Sequence, residues 1–312
     1  MNAGADPAFP GATMQGTSQP PVAPALIIAI AIFGVSWAAI LVRWSGASAY
    51  ALAFWRLTLS LGIVGGALVL TGDWRRIRDV RAAEIGLLAL AGVLLAFHFV
   101  SFFLSLELTT VASSTLFVNL HPLFAAGLSV VWLDERPSRR EWIGIAIAIA
   151  GAMVIGGASL RLGPEAWKGN GLALLGAALI AGYFVIGRVA RRRLGIWAYA
   201  GWVYLFAALV LVPFLLLRGD PFVSYPARDW WIFAGLAAGP MLLGHTGFNW
   251  ALRYVRAYIV NLAVLGEPIG ASLLAWWLLG GSEVPGPSTV IGGLLILTGL
   301  AVSIYSRRGA GT

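Results

Sequence analysis

Two ionisable residues stand directly before prolines inside apolar stretches: His121 and Pro122 in VNLHPLF (118–124), and Glu267 and Pro268 in VLGEPIG (264–270). An imidazole or a carboxylate in such a setting can carry a proton or hold a cationic group. At bilayer depth an ionisable side chain costs at least about 2.5 kcal/mol on insertion scales, so it ordinarily faces a protein interior or a water-filled cavity. Glu267 is therefore the leading candidate for proton coupling or for binding a substrate ammonium group. Its plainer alternative is a structural partner for Arg56 in FWRL (54–57), the one basic residue placed inside an apolar stretch. Such a pair would keep the carboxylate charged and argue against proton carrying.

His98 and His245 complete the histidine set, all of it in apolar stretches. No two share an i, i+3 or i+4 spacing and no acidic residue joins them on one helical face, so neither a metal site nor a metal cofactor is expected. Asn119, Asn249 and Asn261 can bond a substrate or join neighbouring helices. Trp37, Tyr183 and Trp250 fall within apolar stretches and can line a cavity or simply pack. Trp142, Trp167, Trp197, Trp230 and Trp231 fall near the ends of such stretches, as an interfacial belt would. Pro122 and Pro268 each remove a backbone donor and crowd the carbonyl four residues back, those of Val118 and Val264. Kinks are expected there, serving as hinges or only as bends. Gly266 and Gly270 form a small-residue pair that lets their helix approach a neighbour.

The elements that must position these residues are membrane helices. Of the 312 residues 59% are hydrophobic and 11% charged, against roughly 25% charged in a soluble domain. Ten apolar runs are long enough to cross a bilayer: 25–44, 50–71, 84–106, 111–132, 141–158, 170–188, 197–217, 229–252, 258–279 and 287–306. Residues 1–24, rich in Pro, Gly, Ala and Ser, read as a disordered cytoplasmic tail. Its lack of Lys and Arg argues against a cleaved leader. The net charge of +8 resolves into a topology. With the N-terminus inside, Arg75, Arg76, Arg78, Arg81, Arg136, Arg139, Arg140, Arg188, Arg191, Arg192, Arg193, Arg253, Arg256, Arg307 and Arg308 fall on the cytoplasmic side, and only Arg43, Arg161, Lys168, Arg218 and Arg228 fall outside. That asymmetry predicts both termini inside, and it makes GRVARRRLG (187–195) a topology anchor rather than a nucleic-acid site.

The two prolines are 146 residues apart. At that offset residues 104–133 lie on 250–279. With two more residues in the loop, GIAIAIAG (144–151) lies on GGLLILTG (292–299). The chain reads as a duplication, 25–158 and 170–306, with five spans in each copy. An odd number forces the second copy in upside down, and inverted repeats are a transporter architecture with the substrate site near the midplane. The expected fold is thus all-α and integral to the membrane, in ten helices.

LAFWRL (52–57), the stretch ASSTLFVNLHPLFAAGLSVVWLDERPSRREWIGIAIAIAGAMVI (112–155) and its echo around 258–279 resemble the paired EamA-type domains of the drug/metabolite transporter superfamily. The resemblance covers about 25–306. It implies a secondary transporter, mainly an exporter of amino acids and other metabolites. It also implies a central cavity between helices 1–4 and 6–9 with helices 5 and 10 at the side, and it bears most directly on Arg56, Pro122, Glu267 and Pro268. An enzyme is not expected: GxSG, HExxH and Walker A signatures are absent, and the only lysine is Lys168. The spans are too apolar for a selective channel. The expected protein sits in the inner (plasma) membrane, uses no cofactor and binds no nucleic acid. It carries a small molecule outward, with Glu267 open to proton coupling, to binding a substrate ammonium or to a structural pairing with Arg56; multidrug export of lipophilic cations, or uptake of a metabolite, is the alternative.

Overall fold

The computed structural model describes residues 20–75, 80–132, 137–157, 164–255, 257–279 and 287–305. Most of the expected tail, Arg76, Arg78, Arg136, Arg161, Arg256, Arg307, Arg308 and the side chain of Asn261 lie outside the described residues.

Local chemistry sets where the helices start and stop. Pro24, whose missing N–H and fixed φ suit a first helical position, opens α1 (Pro24–Ser36), and α2 (Ala38–Trp44) continues it past Trp37. The Ser48 hydroxyl accepts the Ala51 N–H at 3.2 Å and caps α3 (Ala49–Thr71), which ends at Gly72 with φ 73°. Glu84 reaches back to the Arg81 N–H (2.9 Å) at the start of α4 (Ala82–Leu108). Thr110 caps α5 (Val111–Val118), and α6 (His121–Trp132) follows after a two-residue break at Asn119 and Leu120.

α7 (Arg139–Gly157), α8 (Pro164–Ala190) and α9 (Ile196–Arg218) come next, the last closed by Gly219 at φ 69°. α10 (Ala227–Leu236) runs through a π-helical stretch, Ala237–Thr246, into α11 (Gly247–Ala251). α12 (Ala257–Val264) and α13 (Glu267–Leu279) are separated by Leu265 and Gly266, and α14 (Pro287–Tyr305) ends the bundle. No strand occurs among the described residues.

Among the described residues six rods are long and apolar enough to cross a membrane: Pro24–Trp44, Ala49–Thr71, Glu84–Leu108, Val111–Trp132, Pro164–Ala190 and Ile196–Arg218. Helices also run through the other four expected stretches. The bundle turns apolar side chains outward, among them Leu70, Leu217, Trp231 and Trp277, as a lipid-facing surface does. Trp142, Trp167 and Trp231 are exposed, but Trp230 is not a belt residue. Its ring lies 4.7 Å from that of Trp55 and packs on Phe233 and Tyr225, because the start of α10 leans onto α3.

Both expected kinks are complete helix breaks. The breaks, Asn119–Leu120 and Leu265–Gly266, stand at positions 146 apart, and each is followed at once by the ionisable residue and its proline. Glycines set the helix contacts. A Cβ on Gly151 of α7 would lie 2.6 Å from the Gly292 carbonyl oxygen of α14, and one on Gly299 would lie 2.5 Å from that of Gly144. Each contact is the other's counterpart when the two copies are exchanged. Gly270 of α13 likewise leaves room only for Ser36 of α1.

Candidate functional site

α3 carries Arg56 into the interior, where the residue is 1% exposed. Neighbouring rings fix that segment of helix: Trp55 meets Trp230 and Phe233, and Phe54 meets Phe222. The guanidinium carbon lies 4.0 Å from the centre of the Phe99 ring on α4 and 6.0 Å from that of Phe103, a cation–π seat. Among the described residues no hydrogen bond leaves the guanidinium, and its buried Nε has no partner.

The helix breaks position the acidic side. Glu267 is the first residue of α13, where the free N–H groups of a helix start favour negative charge. Asn119 sits in the other break and is fully buried. Its Nδ2 donates to the Thr115 carbonyl (2.7 Å) and more weakly to Glu267 Oε2 (3.4 Å), while its Oδ1 is unpartnered. No ion pair joins Arg56 to Glu267. The guanidinium is taken by the Phe99 face and the carboxylate by Asn119, so the structural pairing weighed from the sequence is not formed here.

Arg56, His98, His121, His245 and Glu267 line one cavity between the helices. His98 donates from Nδ1 to the Gly176 carbonyl (2.9 Å), which fixes its tautomer. The π-helical stretch presents His245, whose ring lies 5.1 Å from Phe99, 6.0 Å from His98 and 6.3 Å from Phe184. His121 lies 6.0 Å from Phe184. The described residues hold no group of three metal-ligating side chains.

The apolar walls were not foreseen, yet the duplication contains a signal for them. Ala38 and Phe184, Phe99 and His245, Phe102 and Phe248, Val118 and Val264, and His121 and Glu267 all line the cavity, and each pair is 146 residues apart. Several sequence candidates fall elsewhere. Asn249 Nδ2 donates to the Tyr183 hydroxyl and to the His245 carbonyl (2.7 Å), so this pair braces His245 from behind and does not line the cavity. Trp37 interrupts the α1–α2 rod and packs on Phe33 (6.5 Å), and Trp250 lies against Tyr254 (4.7 Å); neither reaches the cavity. Pro122 and Pro268 are buried second residues of α6 and α13. α9 supplies no lining residue, in contrast to the expectation for helix 7. It stands behind, where Tyr204 bonds Thr246 at 2.7 Å. α7 and α14 pack on each other and also contribute none.

Polar ties close the bundle at its ends. Asp229 accepts from the Ser45 hydroxyl (2.6 Å) and the Gly46 N–H (3.2 Å), and Asp220 accepts from the Ser48 hydroxyl (2.8 Å). At the opposite end Arg191, almost wholly buried, donates from Nε to the Asn249 carbonyl (3.2 Å) and from Nη1 to that of Leu194. Burial, followed by the nearby Arg253, pulls the Arg191 guanidinium down to about 10.

A polar, aromatic-walled cavity at two broken helices, inside an apolar bundle, is an arrangement that secondary transporters use. The EamA-like transporter family profile matches the chain twice, over residues 22–157 and 167–305. The chain belongs to the EamA-like transporter family. Curated relatives agree. A protein of Streptantibioticus cattleyicolor named "Probable terminal-alkyne amino-acid exporter" is 26% identical over 92% of this chain and 94% of its own length. The pseudopaline exporter CntI of Pseudomonas aeruginosa is 26% identical over 72% of this chain and 77% of its own. A solved crystal structure, 22% identical, superposes with a TM-score of 0.73 over 91% of this chain and 98% of its own, a likeness of fold. EamA family membership makes the chain a multi-pass membrane transporter of small molecules, not an enzyme.

Proposed function

We propose that this EamA-family chain is a secondary transporter of the inner (plasma) membrane that exports small amphipathic metabolites, amino acids first among them, by alternating access. The observation that carries the proposal is the cavity itself. It sets a carboxylate, a guanidinium and three histidines among aromatic walls at two equivalent helix breaks. Broken helices beside a central site are where secondary transporters bind and rock. Glu267 is the coupling group or the counter-charge to a substrate ammonium, and Pro122 and Pro268 are the hinges.

In this reading ten spans form two inverted repeats, 25–158 and 170–306, behind a cytoplasmic tail (1–24), with both termini inside. The reciprocal contacts of Gly151 with Gly292 and of Gly299 with Gly144 support the inversion, since they are what a two-fold exchange of the repeats produces. The arginine bias supports the orientation. Both relatives bear the name of exporters, one of them for an amino acid, which supports direction and class.

The aromatic walls and Glu267 also suit a lipophilic cation, but the guanidinium in the same cavity opposes one. Growth separates the two. Cells expressing the protein are expected to survive toxic amino-acid analogues. Survival of quaternary ammonium dyes without resistance to the analogues would overturn the amino-acid reading.

A further inference from the structure

We propose that the Arg56 guanidinium is the receptor for a carboxylate on the transported molecule, seated on the Phe99 ring so that its hydrogen-bonding fork is kept for the cargo. The inference rests on the amino-acid reading above and assigns the two charges of the cavity to the two charges of a zwitterion. Arg56 is 1% exposed, yet no described carbonyl, hydroxyl or carboxylate accepts from its guanidinium, and its Nε is buried without a partner. A buried charge left so is costly, and a ring face at 4.0 Å compensates only part of the loss of water. Glu267, the obvious internal counter-ion, lines the same cavity but is engaged by Asn119 instead.

A guanidinium offers five N–H groups in a planar fork that matches a carboxylate, which a point-charge ammonium does not. Apart from Glu267 and the histidines, the lining groups are apolar side chains and aromatic rings, so a carboxylate on the cargo is the acceptor that matches the fork. An amino acid brings it, and its ammonium finds Glu267. Its side chain is left for Phe102, Phe184 and Phe248, which favours apolar amino acids. A lipophilic cation would leave Arg56 unanswered and be repelled by it.

The test uses the purified full chain with three probes: phenylalanine, its carboxamide, and phenethylamine. The wild type is expected to bind phenylalanine at least about tenfold more tightly than the carboxamide, as loss of a charge-assisted contact implies. In Arg56→Gln that ratio should collapse to about one while phenethylamine binds as tightly as to the wild type or more tightly, the repelling charge being gone, which also shows that the variant is folded. Arg56→Lys, which keeps charge and loses the fork, should give an intermediate ratio. A wild-type protein indifferent to the carboxylate, or an Arg56→Gln protein that keeps the preference, overturns the assignment. Counterflow of labelled phenylalanine in proteoliposomes separates the two failures. Wild-type-like counterflow by Arg56→Gln retires the role of Arg56 alone, whereas no counterflow by the wild type retires the amino-acid reading together with it.

Discussion

Asn119 Nδ2 lies 3.4 Å from Glu267 Oε2, and the two residues sit at the two helix breaks, one in each copy of the repeat. The contact joins the two helix breaks beside the cavity. It is long for a hydrogen bond, and the amide also donates to the Thr115 carbonyl at 2.7 Å, so the tie is weak enough to be exchanged for one to cargo.

Asn119→Ala should therefore leave the fold intact and loosen the carboxylate. We expect substrate affinity to change by about tenfold or less, the scale of one weak bond to a charged group, with unaltered thermal stability. Isothermal binding and a melting curve on the same preparation check this.

Removing the breaks should act on rate. Pro122→Ala or Pro268→Ala restores an N–H to a helix that now stops four residues earlier, at Val118 or Val264. Turnover in proteoliposomes is expected to fall several-fold while equilibrium binding is retained, because the change acts on the movement between states. Equal losses in both quantities would mean that the prolines shape the site and do not move it.

The glycine contacts between α7 and α14 should be intolerant of size. Gly151→Val or Gly299→Val inserts carbon atoms where backbone oxygens stand at 2.6 and 2.5 Å, an overpacking worth about 1–3 kcal/mol. Melting temperature in detergent should drop for both. Gly62→Ala, where a new Cβ meets nothing within 4 Å, should match the wild type or exceed it, by up to about 1 kcal/mol.

Asp229 closes one end of the bundle on Ser45 and Gly46. The chain has no cysteine, so a single Ala38→Cys in the cavity wall reports access directly. Adding Asp229→Ala should raise its labelling by a membrane-impermeant maleimide several-fold, in line with the loss of two bonds to a buried carboxylate. Unchanged labelling would make Asp229 a static loop anchor.

Much of this was legible in the sequence because it depends on periodicity along the chain. Charges directly before prolines, the 146-residue offset and apolar run lengths place Arg56, His121, Glu267 and both breaks without knowledge of helix rotation. What was not legible depends on rotation. Helices that are apolar on every side carry no stripe to mark an inner face, so Phe99, Phe102 and Phe184 could not be told from lipid-facing neighbours, and Trp37 could not be assigned away from the cavity. The facing of His245 was hidden for a different reason. It is set by a π-helical stretch, whose i→i+5 bonding shifts every later residue relative to an α-helical count. The offset still held the answer, since Phe99 and His245 are counterparts, as are Phe102 and Phe248.

The most direct test of Glu267 at the centre of a coupled transporter is uptake of labelled amino acids by proteoliposomes containing the pure protein. Wild type and Glu267→Gln are compared with and without an imposed pH gradient. We expect the gradient to stimulate wild-type uptake and to have no effect on the variant, which should still bind phenylalanine, only more weakly. Uptake by wild type and variant alike that ignores the gradient would contradict this, and would make Glu267 a structural residue and the protein a facilitator.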